Sequence, residues 1–230
     1  MPTDPIAEIR AAVAAAKAQE AQAATITGLL RDSMEGLHTA IALPDTDAIS
    51  ALQVFVVRYI DHVADFLEAI LTLTEEAGIS EQSAAFIVAA EALFLETPQR
   101  HPEMTGLHAL LDGAYLAHRL LEEVNDRFIG RCGIPLAPLD TTRSNVIIHH
   151  LIGEPHANEL DQLVDDCAEK LMHRDGVFQA SAFQAYVNEH KSRGWTEELE
   201  RWPCLASDLS INLQLGLAQG HSDPEPDKLH

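Results

Sequence analysis

The sequence is poor in aromatic residues and in long apolar runs, and each shortage excludes a class of protein. Only 5% of the 230 residues are aromatic, so the hydrophobic content of 47% comes mainly from alanine, leucine, isoleucine and valine. This composition favours helices over sheets. No apolar run reaches the roughly 18 residues that a membrane span needs, and the start, MPTDPIAEIR, lacks the features of a secretory signal. We therefore expect a soluble, cytoplasmic protein without a membrane partner.

Cysteine and basic residues are also scarce. Cys132, Cys167 and Cys204 lie far apart and form no C-x-x-C pair, which argues against a zinc ribbon, a redox dithiol or a disulfide framework. There are 36 acidic and 15 basic residues, and the formal net charge of -21 would repel nucleic acid and anionic lipid. The charge favours solubility, and the alternative is a basic protein partner. No G-x-S-x-G elbow, phosphate loop or dinucleotide fingerprint indicates an enzyme.

Hydrophobic periodicity predicts helices along almost the whole chain. The predicted fold is all-α: a single-domain helical bundle of about seven or eight helices with a long Ala-rich N-terminal helix. That first helix covers about 5–42, either unbroken or as two helices meeting near 25–28; the bundle covers about 48–220, and 221–230 form a disordered tail. Further helices are expected at about 48–73, 80–95, 104–128, 140–152, 155 onward, 177–193 and 196–202. Residues 210–217 alternate as a strand does, but we favour a helix there because a lone strand lacks partners.

The N-terminal helix carries a narrow stripe of small apolar residues. The stripe comprises Ile6, Ile9, Val13 and Ala16. Such a stripe permits close helix approach, either within the chain or in a homodimer. The expected partner is therefore another protein or a second copy of this chain.

Three histidines and three carboxylates crowd the stretch NVIIHHLIGEPHANELD, residues 145–161. Gly153 and Pro155 predict that one helix ends there and the next begins. On a helical projection His149 points away from the apolar face and His150 lies at its border, so both are interpreted as surface side chains near a helix end. His156 shares a face with apolar residues and is expected to turn inward.

Glu91 is the acidic residue that most needs an explanation. Its neighbours one helical turn away, Ile87, Val88, Phe94 and Leu95, are all large and apolar. An ionised carboxylate in such surroundings is costly unless it is paired, protonated or bound to metal. Either a structural hydrogen bond or a metal or acid-base role would account for it.

The helix at about 104–128 supplies partners for a metal site, because His118 and Asn125 fall on its core face and Glu122 on its edge. On the same projection Asp112 points outward and is expected to face water. Carboxylates and imidazoles that project from several helices are how bundles build di-iron and di-manganese sites. The predicted metal ligands are Glu91, His118, Glu122 and His156, with His62 or His150 as further members. Iron or another divalent metal would be the cofactor.

Two known bundle patterns bear on this metal hypothesis. The ferritin-like pattern needs two Glu-x-x-His pairs, whereas this chain has one, Glu35 to His38, turned away from the apolar stripe. YIDHVADFLEAI followed by EALFLE resembles hemerythrin-like bundles, but their His-x-x-x-Glu pair would require a histidine where Ile87 stands. Two hypotheses follow: a non-enzymatic interaction or regulatory protein with an acidic surface, or a bundle metalloprotein with an oxidative role.

Overall fold

Eight α-helices make up most of what the computed structural model describes, which is residues 4–100, 104–136, 141–172, 181–193 and 211–213. The helices are α1 (Pro5–Ala23), α2 (Thr25–Ser33), α3 (Ala48–Glu76), α4 (Ser80–Arg100), α5 (Gly106–Cys132), α6 (Thr142–Ile152), α7 (Glu154–Met172) and α8 (Ser181–Arg193). A 3₁₀ turn, Met34–Gly36, follows α2. The prediction of an all-α bundle of seven or eight helices is confirmed.

The N-terminal region forms two helices, so the alternative of one unbroken helix over 5–42 is wrong. The break falls at Ala24, whose backbone is left-handed with φ of 49°. The buried carboxylate of Glu20 accepts hydrogen bonds from the hydroxyl of Thr25 and the backbone N–H of Ile26. It thereby satisfies donors that the start of α2 would otherwise leave without a partner.

The apolar stripe of α1 packs inside the chain. Its four residues are each at most 6% exposed, namely Ile6, Ile9, Val13 and Ala16, and α1 contacts α3, α4 and α5. Ion pairs beside the stripe join α1 to α3, from Arg10 to Glu68 at 2.7 Å and from Lys17 to Asp61 at 2.6 Å. Of the two roles that the stripe allowed, the contact within the chain is the one observed.

α5 is the central helix of the bundle. Every residue from Ala109 to His118 is buried, because α1, α3, α4 and α7 pack around it. The loop after α5 packs on the body as well: Ile134 and Leu136 are buried, and the side-chain oxygen of Asn125 accepts a hydrogen bond from the backbone N–H of Leu136 at 2.7 Å. α5 can therefore present side chains to several neighbours at once.

The C-terminal half contains the predicted helix-helix corner and one unexpected pairing. α6 ends at Gly153, with φ of 96°, and Pro155 lies in the first turn of α7. Strand β2 (Asn212–Leu213) pairs antiparallel with β1 (Ile41–Ala42). The helix favoured for 210–217 is thus wrong over these two residues, because the partner strand is remote in sequence. The predicted helix at 196–202, the tail at 221–230, and residues 177–180 lie outside the described residues.

Candidate functional site

Glu91 is partly exposed, so the expectation that it is buried among apolar side chains is wrong. Val88, one turn earlier on α4, is 61% exposed. Apolar neighbours on one helix do not bury a residue unless a second helix covers that face. The pKa of Glu91 is raised from its ordinary value, first by partial burial and then by the negative charges of Glu8 and Asp4. Glu91 therefore lies within electrostatic range of the carboxylates at the start of α1.

His118 is buried in α5, as predicted, and is 1% exposed. Its Nε2 lies 2.9 Å from the backbone oxygen of Tyr59 in α3 and donates a hydrogen bond to it. The ring packs on those of Tyr59 and Phe66, at centroid distances of 4.3 and 5.2 Å. Burial outweighs that hydrogen bond and lowers the pKa of His118 to about 4. A neutral imidazole thus joins α5 to α3.

His156 turns inward, as predicted, and meets a carboxylate that was expected to face water. Its Nε2 lies 2.7 Å from Oδ2 of Asp112, which is only 3% exposed. The outward assignment of Asp112 is wrong because α5 is surrounded on all sides along this stretch. The contact fastens α7 to α5.

Glu122 is the predicted site residue with the richest set of partners. Its carboxylate is 11% exposed. Its Oε2 accepts hydrogen bonds from Arg119 and from the amide of Asn145, both at 2.6 Å, and its Oε1 accepts one from the hydroxyl of Thr142. The oxygen of the Asn145 amide accepts a hydrogen bond from the hydroxyl of Tyr59 at 2.6 Å. Glu122 thus ties together α5, α6 and, through Asn145, α3.

Arg119 is fixed between two carboxylates from different helices. One guanidinium nitrogen donates to Glu122, and Nε donates to Oδ1 of Asp161 at 3.0 Å. The hydroxyl of Tyr115 donates to the same Asp161 oxygen at 2.9 Å. Burial by itself lowers the pKa of Arg119, but the hydrogen bonds to Asp161 and Glu122 outweigh it and raise the pKa. Arg119 therefore keeps its charge.

This network borders an open cleft of about 380 Å³ between α5, α6 and α7. The cleft is lined by Tyr115, Arg119, Glu122, Thr142, Asn145, Val146, His149, His150, Glu154 and Asp161. Its volume falls within the roughly 300–1,000 Å³ of small-molecule sites. Three carboxylates line it against one guanidinium, so the cleft is net negative when its histidines are neutral.

His149 and His150 line this cleft, although their positions on the helical projection predicted ordinary surface side chains. Nε2 of His149 lies 3.3 Å from the side-chain oxygen of Asn158 and 3.6 Å from Oδ2 of Asp161. His150 stacks on His38 with ring centroids 5.3 Å apart. Burial, followed by the two neighbouring imidazoles, lowers the pKa of His150. The helix end became a cleft wall because α7 folds back beside it.

The four predicted metal ligands do not come together as one site. Glu91 lies near α1, His118 contacts α3, and Glu122 and His156 have the separate partners described above. Within the described residues, no group of three or more histidine, cysteine or acidic side chains is arranged to hold a metal ion.

Three important residues of the cleft were missed from the sequence: Tyr115, Arg119 and Asp161. A signal for two of them exists, since Tyr115, Arg119 and Glu122 are spaced i, i+4, i+7 and share one face of a helix. Asp161 stands seven residues after Glu154 on α7, at the same helical spacing. Which of these stripes face one another could be seen only in the folded chain.

Comparisons of the chain with protein-family models, with curated proteins and with solved structures found no match. Among the described residues, no helix has the length and apolarity required to cross a membrane. Function therefore has to be inferred from the cleft itself.

Proposed function

We propose that this protein is a non-enzymatic helical protein of the interaction or regulatory kind, and that it recognises a small polar ligand in the cleft between α5, α6 and α7. One observation carries the proposal: the cleft is backed by a hydrogen-bonded frame in which Arg119 is fixed between Glu122 and Asp161. Polar groups that are held in place before a ligand arrives cost less free energy to order on binding. The frame supplies such groups.

A buried polar network can also serve only to hold helices together. Two features favour binding over that simpler role. The network faces open space of about 380 Å³ instead of packed side chains. At the edge of that space, Val146 remains 40% exposed although its helical neighbours Ile147 and Ile148 are fully buried. An apolar side chain beside convergent polar groups is typical of a ligand site.

We place the protein in solution in the cytoplasm, in keeping with its 36 acidic and 15 basic residues. A protein partner or a second copy would use a surface other than the α1 stripe, which is buried within the chain. We do not extend the proposal to the di-metal alternative, because the described residues bring no suitable set of ligands together.

Fragment screening by NMR tests this proposal. Small amines, alcohols and carboxylic acids are added one at a time to isotope-labelled protein, and we expect at least one to shift amide signals of α5, α6 and α7 around the cleft. Val146→Trp should abolish these shifts because the indole fills the cleft. Ile129→Trp is the matched control, since Ile129 is 45% exposed on α5 and does not line the cleft. If no fragment binds, or if the Val146→Trp variant binds equally well, the proposal is wrong.

A further inference from the structure

We propose that the ligand of this cleft is a small organic cation, whose positively charged nitrogen is an ammonium or guanidinium group. The inference rests on the proposed function, because it names the chemical class of ligand for the same cleft. It follows from which hydrogen-bonding groups of the cleft are already occupied and which remain open.

The positive charge of the cleft is already neutralised by the protein. Arg119 donates through two different nitrogens, to Glu122 at 2.6 Å and to Asp161 at 3.0 Å. A carboxylate or phosphate ligand would have to compete with both of these charge-assisted hydrogen bonds, which are among the stronger ones in proteins. It would also face the negative charge of Glu154. Anions are therefore disfavoured.

The carboxylate oxygens that remain open in the cleft are hydrogen-bond acceptors. Oδ1 of Asp161 accepts hydrogen bonds from Tyr115 and Arg119. Oδ2 makes no hydrogen bond to another described residue, and the ring nitrogen of His149 lies 3.6 Å away, beyond hydrogen-bond distance. Glu154 lines the cleft, and its carboxylate makes no hydrogen bond or salt bridge to another described residue. Two carboxylates from one helix thus offer oxygens to a ligand that carries N–H donors.

Aromatic rings complete a surface suited to a cation. Tyr115, His149 and His150 line the cleft, and the rings of Tyr115 and His149 meet edge to face with centroids 6.2 Å apart. Aromatic side chains pack against the body of an organic amine, and tyrosine faces attract positive charge. A bare divalent metal ion fits less well, because it requires several converging ligands and the described residues contain no such group.

Three probes of similar size and different charge distinguish the ligand classes: benzylamine, benzyl alcohol and benzoate. Each is titrated at millimolar concentration at pH 7 into isotope-labelled protein, and the dissociation constant is taken from the cleft amide shifts. Benzylamine should bind at least about tenfold more tightly than benzoate, the difference expected of one charge-assisted hydrogen bond. Its affinity should fall when salt is added.

Variants then locate the charge that recognises the amine. Asp161→Asn removes the charge but leaves an oxygen that can still accept from Tyr115 and Arg119, so it should weaken benzylamine about tenfold without unfolding the frame. Glu154→Gln should weaken it about two- to fivefold, because its carboxylate is exposed. Glu159→Gln is the matched control: it removes the same charge from the same helix outside the cleft, and binding should not change.

The acidic surface could also attract amines without any specific site, and the Val146→Trp variant separates that case. Loss of benzylamine binding in Val146→Trp, together with the two charge effects, supports the inference. Equal binding of benzylamine to Val146→Trp, or equal effects of Glu159→Gln and Glu154→Gln, overturns it. If benzoate binds in the cleft more tightly than benzylamine, the assignment of the ligand as a cation is wrong, while the proposed binding function stands. If none of the probes and no other fragment binds, the proposed function fails and the inference fails with it.

Discussion

Replacing Gly113 by alanine tests how closely α4 and α5 pack. A Cβ atom at this position would lie 2.7 Å from the backbone oxygen of Phe94 and 3.2 Å from its Cα. Ordinary contact begins at 3.4 Å, so the two helices would have to separate locally by 3.4 − 2.7, or about 0.7 Å. A gap of that size forfeits roughly a quarter to a half of the dispersion energy of the atoms that face it.

The expected cost of Gly113→Ala is a balance of two opposing effects. Overpacking against a backbone, which cannot rotate out of the way, costs about 3 kcal/mol, the upper part of the usual range. Alanine recovers about 1 kcal/mol through its higher helix propensity. We therefore expect a net destabilisation of about 2 kcal/mol, and a fall in Tm of roughly 4–8 °C for a chain of this size.

The measurement is urea unfolding followed by far-UV circular dichroism, with Gly130→Ala as the matched control. Gly130 lies in the same helix, and nothing stands within 4 Å of the site of its Cβ. That variant should gain about 0.5–1 kcal/mol from helix propensity. We expect the free energy of unfolding to fall in Gly113→Ala and to rise in Gly130→Ala. If Gly113→Ala is as stable as the wild-type protein or more so, the close approach of α4 and α5 is refuted.

Two further predictions concern buried polar groups. Glu20→Ala removes the acceptor for Thr25 and Ile26 at the start of α2 and should lower the free energy of unfolding by about 1–2 kcal/mol; an unchanged urea midpoint would contradict the capping role. The folded-state pKa of His118 is lowered from 6.5 to about 4, so the unfolded chain takes up this proton first as the pH falls. The contribution of the neutral ring to the free energy of unfolding should be fully present above about pH 6.5. It should decrease by about 3 kcal/mol as the pH is lowered to 4. His118→Gln should flatten the pH dependence by that amount, and an identical slope would show that the ring is not buried.

Hydrophobic periodicity identified the buried face correctly where one side of a helix packs against other helices and the opposite side is exposed to solvent. On α3 it selected seven residues. Six are at most 2% exposed, namely Leu52, Val56, Ile60, Val63, Leu67 and Ile70, whereas Ile49 in the first turn is half-buried. It misplaced Asp112 because α5 is enclosed on several sides, so this helix has no single wet face. It misplaced Glu91 for the opposite reason: Ile87 and Phe94 are buried, but the neighbouring Val88 is 61% exposed, so other helices leave this part of α4 uncovered. In both cases the number of neighbouring helices decided burial.

The candidate site also combines residues that the sequence predicted with a grouping that it did not predict. His118, Glu122 and His156 were selected because each polar residue lies on or beside an apolar helical face, and each makes a buried or half-buried contact in the structure. Their grouping was not predictable, since it depends on which helices lie side by side. Glu122 meets Arg119 and Asn145, and His156 meets Asp112. Gly153 predicts the turn between α6 and α7, but not how closely the two helices then lie, and that approach brings His149 within 3.6 Å of Asp161.

By itself the sequence determined the helices, their turn at Gly153, the strongly negative charge and most of the apolar faces, because these depend on residues within a few helical turns of one another. Only the tertiary structure decided that α5 is enclosed, that β1 meets β2, and that carboxylates from two helices hold Arg119 beside an open cleft. The physical reason is the distance along the chain over which each interaction acts. Backbone hydrogen bonds and side-chain periodicity act along one helix, whereas burial and charge pairing depend on surfaces that meet only after the chain has folded.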